Sequence, residues 1–319
     1  MEILAGLYVL GGLVYLVMGG DLLVRGAISI ARRAQLPPAV IGATIVAFGT
    51  SLPELVVSLM AATQGHTGLA IGNVIGSIIA YVLLVLGAPA LLAPIAADPS
   101  MRPHTLFMLA ATVLFIVLCM LGELGAAAGL LLLGLLAGAI LLSVSGRLSL
   151  LDLEGEEQVY ERTLGLPEQP FIAWFFVLFG VVVMPIGANL TVEGATQLAE
   201  GFGVSEAAIG ATVVALGTSL PELSVSFLAA LHRQLGMAIG NAVGSNTLNI
   251  LVVIGVTTLV ADLPVPAHAL TFDLWYMLAC ALLLVALVVM GRGINRGLGA
   301  ALLVAYAVFV WAALRALPV

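Results

Sequence analysis

Ten segments of this chain are apolar over about twenty residues or more: 3–33, 38–63, 69–93, 104–122, 125–147, 170–200, 206–231, 237–262, 269–291 and 296–317. About twenty apolar residues is what an α-helix needs to cross the hydrocarbon of a bilayer. Inside that layer every backbone N–H and C=O must be satisfied locally, so such a chain folds as a bundle of spanning helices. Only 8% of the 319 residues are charged and 62% are hydrophobic, whereas water-soluble domains carry roughly 25% charged residues. A soluble globule is excluded. The net charge of −7 and the lack of any basic tract exclude a nucleic-acid partner as well.

All ten cations are arginine. Counting loops from the N-terminus, the odd ones hold Arg32, Arg33, Arg102, Arg147, Arg162, Arg233, Arg292 and Arg296, and the even side holds only Arg315. The excess of basic residues in cytoplasmic loops predicts odd loops inside and both termini outside a cell membrane. The one long polar stretch, 148–169 with the acidic core LEGEEQVYER, then becomes a cytoplasmic linker. The first apolar run lacks a basic leader and a small-residue cleavage site, and reads as the first span.

The chain repeats itself. IGATIVAFGTSLPELVVS at 41–58 aligns without gaps on IGATVVALGTSLPELSVS at 209–226, an offset of 168 residues with three differences. At the same offset LAIGNVIGS (69–77) falls on MAIGNAVGS (237–245), and GDLLVRGA (20–27) falls on ANLTVEGA (188–195). Five spans separate the copies, an odd number, so the second copy lies upside down relative to the first. Inverted repeats with interrupted helices are the mark of secondary transporters with a midplane substrate site. The expected fold is all-α and integral to the membrane: ten transmembrane helices as two inverted five-helix repeats, 1–147 and 170–319, joined by the linker 148–169.

Each copy sets Gly-Thr-Ser-Leu-Pro-Glu in mid-span, at 49–54 and 217–222. Pro53 and Pro221 have no N–H to give a preceding turn, which predicts freed backbone carbonyls near Ala47 to Gly49 and Ala215 to Gly217. Thr50, Ser51, Thr218 and Ser219 add hydroxyls. Glu54 and Glu222 decide the chemistry, because a carboxylate at bilayer depth costs roughly 3 kcal/mol or more. The inverted symmetry should bring them together, and two close carboxylates need a cation or a proton between them. Hard oxygen donors suit Ca²⁺, and subsets of them suit Na⁺. Soft-metal ligands are missing. Ser77 and Ser245, in the glycine-spaced GNVIGS and GNAVGS segments, add another hydroxyl per repeat, and the glycines permit close backbone approach.

The paired GTSLPE segments followed by GNVIGS and GNAVGSN resemble the alpha repeats of the calcium/cation antiporter superfamily, above all its prokaryotic sodium/calcium exchanger branch. The resemblance implies exchange of extruded Ca²⁺ for entering Na⁺, with Ca²⁺ on Glu54, Glu222 and the backbone oxygens of Thr50 and Thr218. It implies flanking Na⁺ sites at Ala47, Ser51, Ser77, Ala215, Ser219 and Ser245. The chain departs from that pattern where the family usually has asparagine and often has aspartate, at Tyr81 and Asn249. The site then keeps two carboxylates, balanced by one Ca²⁺ or two Na⁺; Tyr81 and Asn249 stay among the candidate ion-site residues, the tyrosine either donating its phenolic oxygen or filling the space of a central ion or water. No enzyme activity and no cofactor is expected, only transported Ca²⁺ and Na⁺. Ca²⁺/H⁺ antiport is the alternative, followed by a passive cation channel. Alternating access would come from the first and sixth spans sliding over the others on glycines such as Gly11, Gly12, Gly19 and Gly20.

Among the remaining residues, Asp21 and Arg25 read as a local ion pair. His66, His104, His232 and His268 read as interfacial side chains, Trp174, Trp275 and Trp311 as interface anchors, and Cys119 and Cys280 as packing residues.

Overall fold

A computed structural model describes residues 2–34, 49, 51–97, 101–144, 165–231 and 235–315. They are almost wholly helical. The first helix, α1, covers Glu2–Arg33, and α2 covers Leu52–Thr63. The next, α3, runs Thr67–Leu92 and contains one π-helical turn at Tyr81–Val85. It is followed by α4 (Arg102–Cys119) and α5 (Ala126–Val144). In the second half α6 covers Pro170–Phe202. A break then separates α7 (Glu206–Thr218) from α8 (Leu220–Leu231). The helix α9 starts as Leu235–Leu248 and continues through a π-helical turn at Asn249–Ile254 into Gly255–Val260. The last two are α10 (Ala269–Val289) and α11 (Arg296–Arg315).

Eight of these helices are long and apolar enough to cross a membrane, and the bent pair α7–α8 counts as a ninth when it is taken as one span. The expected span at 38–63 is described only from its break onward, as the twelve-residue α2, because 35–48 and 50 lie outside the described residues. The linker at 148–169 likewise lies outside them except for residues 165–169, as do Arg147 and His232.

At 32 and 33 residues, α1 and α6 are about 48 Å long at 1.5 Å per residue, against a hydrocarbon core of about 30 Å. They must cross tilted. They pack on each other antiparallel along a row of small residues seven apart. Ala5, Gly12, Gly19 and Gly26 of α1 face Gly194, Gly187, Gly180 and Ala173 of α6 in reverse order. A Cβ at Gly12 would stand 2.6 Å from the Gly187 carbonyl oxygen, and one at Gly187 would stand 2.7 Å from that of Gly12. At Gly26 the carbonyl of Ala173 would be 2.5 Å away. At these glycines nothing larger than hydrogen fits, so backbone meets backbone. Gly11 faces open space and Gly20 would make only ordinary van der Waals contacts, with Pro53 and the end of the Met184 side chain, so neither belongs to this row of close backbone approach.

The other helices sort by burial. In α3, 94% of the apolar centre is buried, against 17% in α5 and 28% in α11. The helices carrying the repeated motifs therefore form the middle of the bundle, and the rest clothe it toward lipid. Within that middle, Gly72 and Gly76 of α3 lie on the Ala207 and Ala211 carbonyls of α7, each at 2.2 Å from an added Cβ. The GNVIGS spacing thus permits the close approach expected of it. The equivalent partners of the second copy, 39 and 43, lie outside the described residues.

Short backbone pairings tie the ends. The turn between α4 and α5 (β1, Glu123–Leu124) pairs antiparallel with the turn between α9 and α10 (β2, Leu263–Pro264). Ile95, after α3, bridges Ile294, between α10 and α11. Under the 168-residue offset Leu263 maps onto Ile95, and Leu124 maps onto Arg292, so the second pairing repeats the first with a shift of two residues on one side.

Candidate cation site

The breaks in the motif spans are helix starts. Proline stands in the first turn of both α2 and α8, where its missing N–H is no loss. Glu54 and Glu222 occupy those same first turns, where the positive end of the helix dipole favours an anion. The carbonyls of Ser51 and Ser219 accept from the N–H groups of Leu55 and Leu223 at 3.1 and 3.0 Å. Between α7 and α8 the chain bends by 43°. The Ala215 carbonyl, expected to be freed, accepts from the Ser219 N–H at 3.1 Å and from Thr218 Oγ1 at 3.3 Å. The proline begins a new helix after the break, so that preceding turn keeps its bond. Thr50 and Ala47, the matching positions in the first half, lie outside the described residues.

Both glutamates are wholly buried and both reach one atom. The Tyr81 hydroxyl stands 3.0 Å from Glu54 Oε1 and 3.4 Å from Glu222 Oε1, and it accepts from Asn249 Nδ2 at 3.2 Å. Tyr81 and Asn249 are repeat partners, each the first residue of a π-helical turn. Such a turn inserts a residue into the helix and re-aims the side chains at it. The two halves therefore meet at the phenol. The five helices α2, α3, α7, α8 and α9 contain no Lys or Arg to neutralise the carboxylates.

Asn73 and Asn241 went unassigned from the sequence, although the GN dipeptide recurs at the repeat offset inside an apolar span. Both are buried. Asn73 Nδ2 donates to the Glu54 carbonyl at 3.3 Å and to Ser58 Oγ at 3.0 Å. Asn241 Nδ2 donates to the Glu222 carbonyl at 3.1 Å and to Ser226 Oγ at 3.0 Å. Thr218 Oγ1 crosses between the halves to Asn73 Oδ1 at 3.2 Å, and Ser245 Oγ lies 3.4 Å from Asn241 Oδ1. Ser245 thus supports the asparagine that holds Glu222.

Thr218 and Ser219 lie beside the Glu54 carboxyl. Glu54 Oε2, Ser51 Oγ, Ser77 Oγ, Ser219 Oγ and Asn249 Oδ1 are buried with no hydrogen bond of ordinary geometry among the described residues. Buried oxygens left over in this way are what a hard cation would satisfy. No cluster of three or more His, Cys, Asp or Glu occurs among the described residues, so charge in the site comes from the two glutamates. The motif glycines touch α1: a Cβ at Gly49 would meet Val24, and one at Gly217 would meet Leu13. The helix that rides on α6 lies directly against both breaks.

The family model described as sodium/calcium exchanger protein matches residues 4–145 and 172–315. The chain belongs to the sodium/calcium exchanger family. This exchanger is 38% identical to a protein named putative antiporter CaxA from Alkalimonas amylolytica, over 95% of this chain and 97% of that one. It is 33% identical to the sodium/calcium exchanger MaX1 of Methanosarcina acetivorans, again over 95% and 97%. Among solved structures it resembles the sodium-calcium exchanger NCX_Mj soaked with Na⁺ and Sr²⁺, with a TM-score of 0.62 and 31% identity over 98% of this chain and 99% of that one. This exchanger is therefore a multi-pass membrane protein of a transporter family, and its duplicated motifs lie at the centre of the fold.

The other singled-out residues fall into place around that centre. Asp21 and Arg25 form an ion pair at 3.2 Å, whereas the partner position Asn189 accepts from Gln64 Nε2. His66 pairs with Glu206 at 2.8 Å and His268 with Asp273 at 3.1 Å, while His104 is buried in α4. Trp174, Trp275 and Trp311 are exposed, and Cys119 and Cys280 are buried free thiols.

Proposed function

We propose that the protein is a secondary antiporter that exchanges Ca²⁺ for Na⁺ by alternating access, with the two ions competing for Glu54 and Glu222. The single observation that carries this reading is the meeting of the two carboxylates on the Tyr81 hydroxyl, ringed by buried oxygens with no hydrogen bond of ordinary geometry among the described residues. The residues that would hold the ions are Glu54, Glu222, Ser51, Ser77, Thr218, Ser219 and Asn249, together with Thr50 and Ala47 outside the described residues. Of the remaining expected ligands, Ala215 keeps its carbonyl in the helix and Ser245 acts through Asn241.

The repeats 1–147 and 170–319 are taken as inverted halves joined by a cytoplasmic linker. Matching hydrogen bonds of Asn73 and Asn241 support this, as do the similarly placed bridges at the bundle ends. Both termini lie outside in this reading, supported by the arginine distribution. The small-residue row between α1 and α6 suits a pair that moves as one body over the breaks at Gly49 and Gly217.

Ca²⁺ uptake into proteoliposomes tests the reading. Uptake should require an outward Na⁺ gradient, and Glu54→Gln should abolish it. Uptake with no counter-ion would instead mean a passive pore. A proton-driven exchanger is the second reading, favoured by the hydrogen-bonded Glu54–Tyr81–Glu222 chain. An outward proton gradient in Na⁺-free medium separates it from the first.

A further inference from the structure

The turns at the two ends of the bundle share a backbone pairing and differ in charge. Leu263 lies in the β1–β2 pairing, and its repeat partner Ile95 lies in the bridge to Ile294. Exposed Glu123 and Asp262 stand at the first pairing, whereas exposed Arg102, Arg292 and Arg296 gather around the second. The one acid in the sequence of these latter turns is Asp98, which lies outside the described residues.

The fold draws the three cations together. Helices α3 and α10 end here, and α4 and α11 begin here. The turns are held side by side by Ile95 N–H on the Ile294 carbonyl at 2.9 Å and Ile294 N–H on the Ile95 carbonyl at 2.7 Å. Arg102 Nη2 donates to the Val289 carbonyl of α10 at 2.9 Å, and Arg296 Nη2 donates to the Leu92 carbonyl of α3 at 3.3 Å. Each of these guanidiniums offsets the negative end of a helix. The starts of α4 and α11 bring the positive ends of two more helix dipoles to the same place. The balance favours an anion.

On the bilayer side of the arginines the surface is apolar. Leu91 and Leu92 in the last turn of α3, Met290 at the end of α10 and Leu106 one turn into α4 are all exposed. A free phosphate would use only the cations. A phospholipid would use both surfaces, because guanidinium groups match phosphate oxygens and the apolar shelf takes the acyl chains. The arginine distribution assigns this face to the cytoplasm, the leaflet whose anionic lipids attract basic clusters.

We propose that the paired turns joining α3 to α4 and α10 to α11 bind an anionic phospholipid, with Arg102, Arg292 and Arg296 around its phosphate and the exposed ends of α3 and α10 against its chains. A lipid held there bridges the two halves of the chain. The site does not depend on which ions are exchanged.

The test is native mass spectrometry of the full-length protein in detergent, titrated with phosphatidylglycerol or with phosphatidylcholine of the same acyl chains. A basic residue beside an anionic headgroup is worth about fivefold in affinity, equivalent to about 1 kcal/mol. The first phosphatidylglycerol should therefore bind about tenfold or more tightly than the first phosphatidylcholine. Arg292→Gln leaves both helix caps in place and should cut that preference about fivefold, and Arg292→Lys should restore most of it. Arg315→Gln, at the opposite face, should leave the preference unchanged, and inorganic phosphate in large excess should not displace the lipid. Equal binding of the two lipids overturns the proposal, as does a preference that Arg292→Gln leaves whole. An equal loss in Arg315→Gln overturns the location, and displacement by inorganic phosphate overturns a lipid as the occupant.

Discussion

Asn73 and Asn241 grip the two acidic residues in the same way, each donating one amide to a glutamate's own carbonyl and to a serine four residues further on. The grip falls on the backbone, so it fixes where each carboxylate starts without consuming its oxygens. Asn73→Ala and Asn241→Ala should each lower stability by about 1–3 kcal/mol, the cost of leaving buried partners unsatisfied. Both should also weaken Ca²⁺ binding, because the glutamates lose their common frame. Thermal unfolding and calorimetric Ca²⁺ titration of purified protein check this; unchanged affinity in both variants would refute the positioning role.

Glu54→Gln and Glu222→Gln remove charge while keeping shape. Each should weaken Ca²⁺ binding by about 3 kcal/mol or more, roughly a hundredfold, since one partner of a buried charge arrangement is lost. A ligand that binds the folded state raises its melting temperature by mass action. Ca²⁺ should therefore shift the melting temperature of the wild-type protein upward and leave either variant almost unmoved.

The row of small residues between α1 and α6 separates transport from binding. A methyl group at Gly12 would meet Thr191 Oγ1 at 2.3 Å and the Gly187 carbonyl at 2.6 Å, whereas one at Gly11 meets nothing within 4 Å. Gly12→Ala should slow exchange about tenfold or more, equivalent to about 1.4 kcal/mol on the barrier. Gly11→Ala should run at the wild-type rate. Flux and Ca²⁺ binding measured on the same preparations show whether the loss lies in movement, as expected, or in the site.

The His66–Glu206 pair is about one-third exposed on both sides. Such pairs contribute about 0–1 kcal/mol. His66→Gln should thus change the melting temperature by only a few degrees and leave Na⁺-driven Ca²⁺ uptake intact. A large loss of uptake would assign this histidine a part in transport.

The apolar spans that fall on described residues, the duplication in the sequence and the two buried glutamates were legible from the chain alone. Apolar length and a constant offset are one-dimensional properties, and the expense of a carboxylate in lipid needs no coordinates to be felt. The meeting of Tyr81 with Glu222, 141 residues away, was decided by the tertiary structure, because it depends on how the two halves stack. So was the fate of Ala215: a proline in an apolar span either kinks one helix or starts another, and packing around the break chose the second. The seven-residue row on α1 is visible in sequence, yet only its antiparallel register against α6 makes it a contact. Local composition sets what must be buried and what is costly to bury; which buried groups share an atom is settled when the helices close on each other.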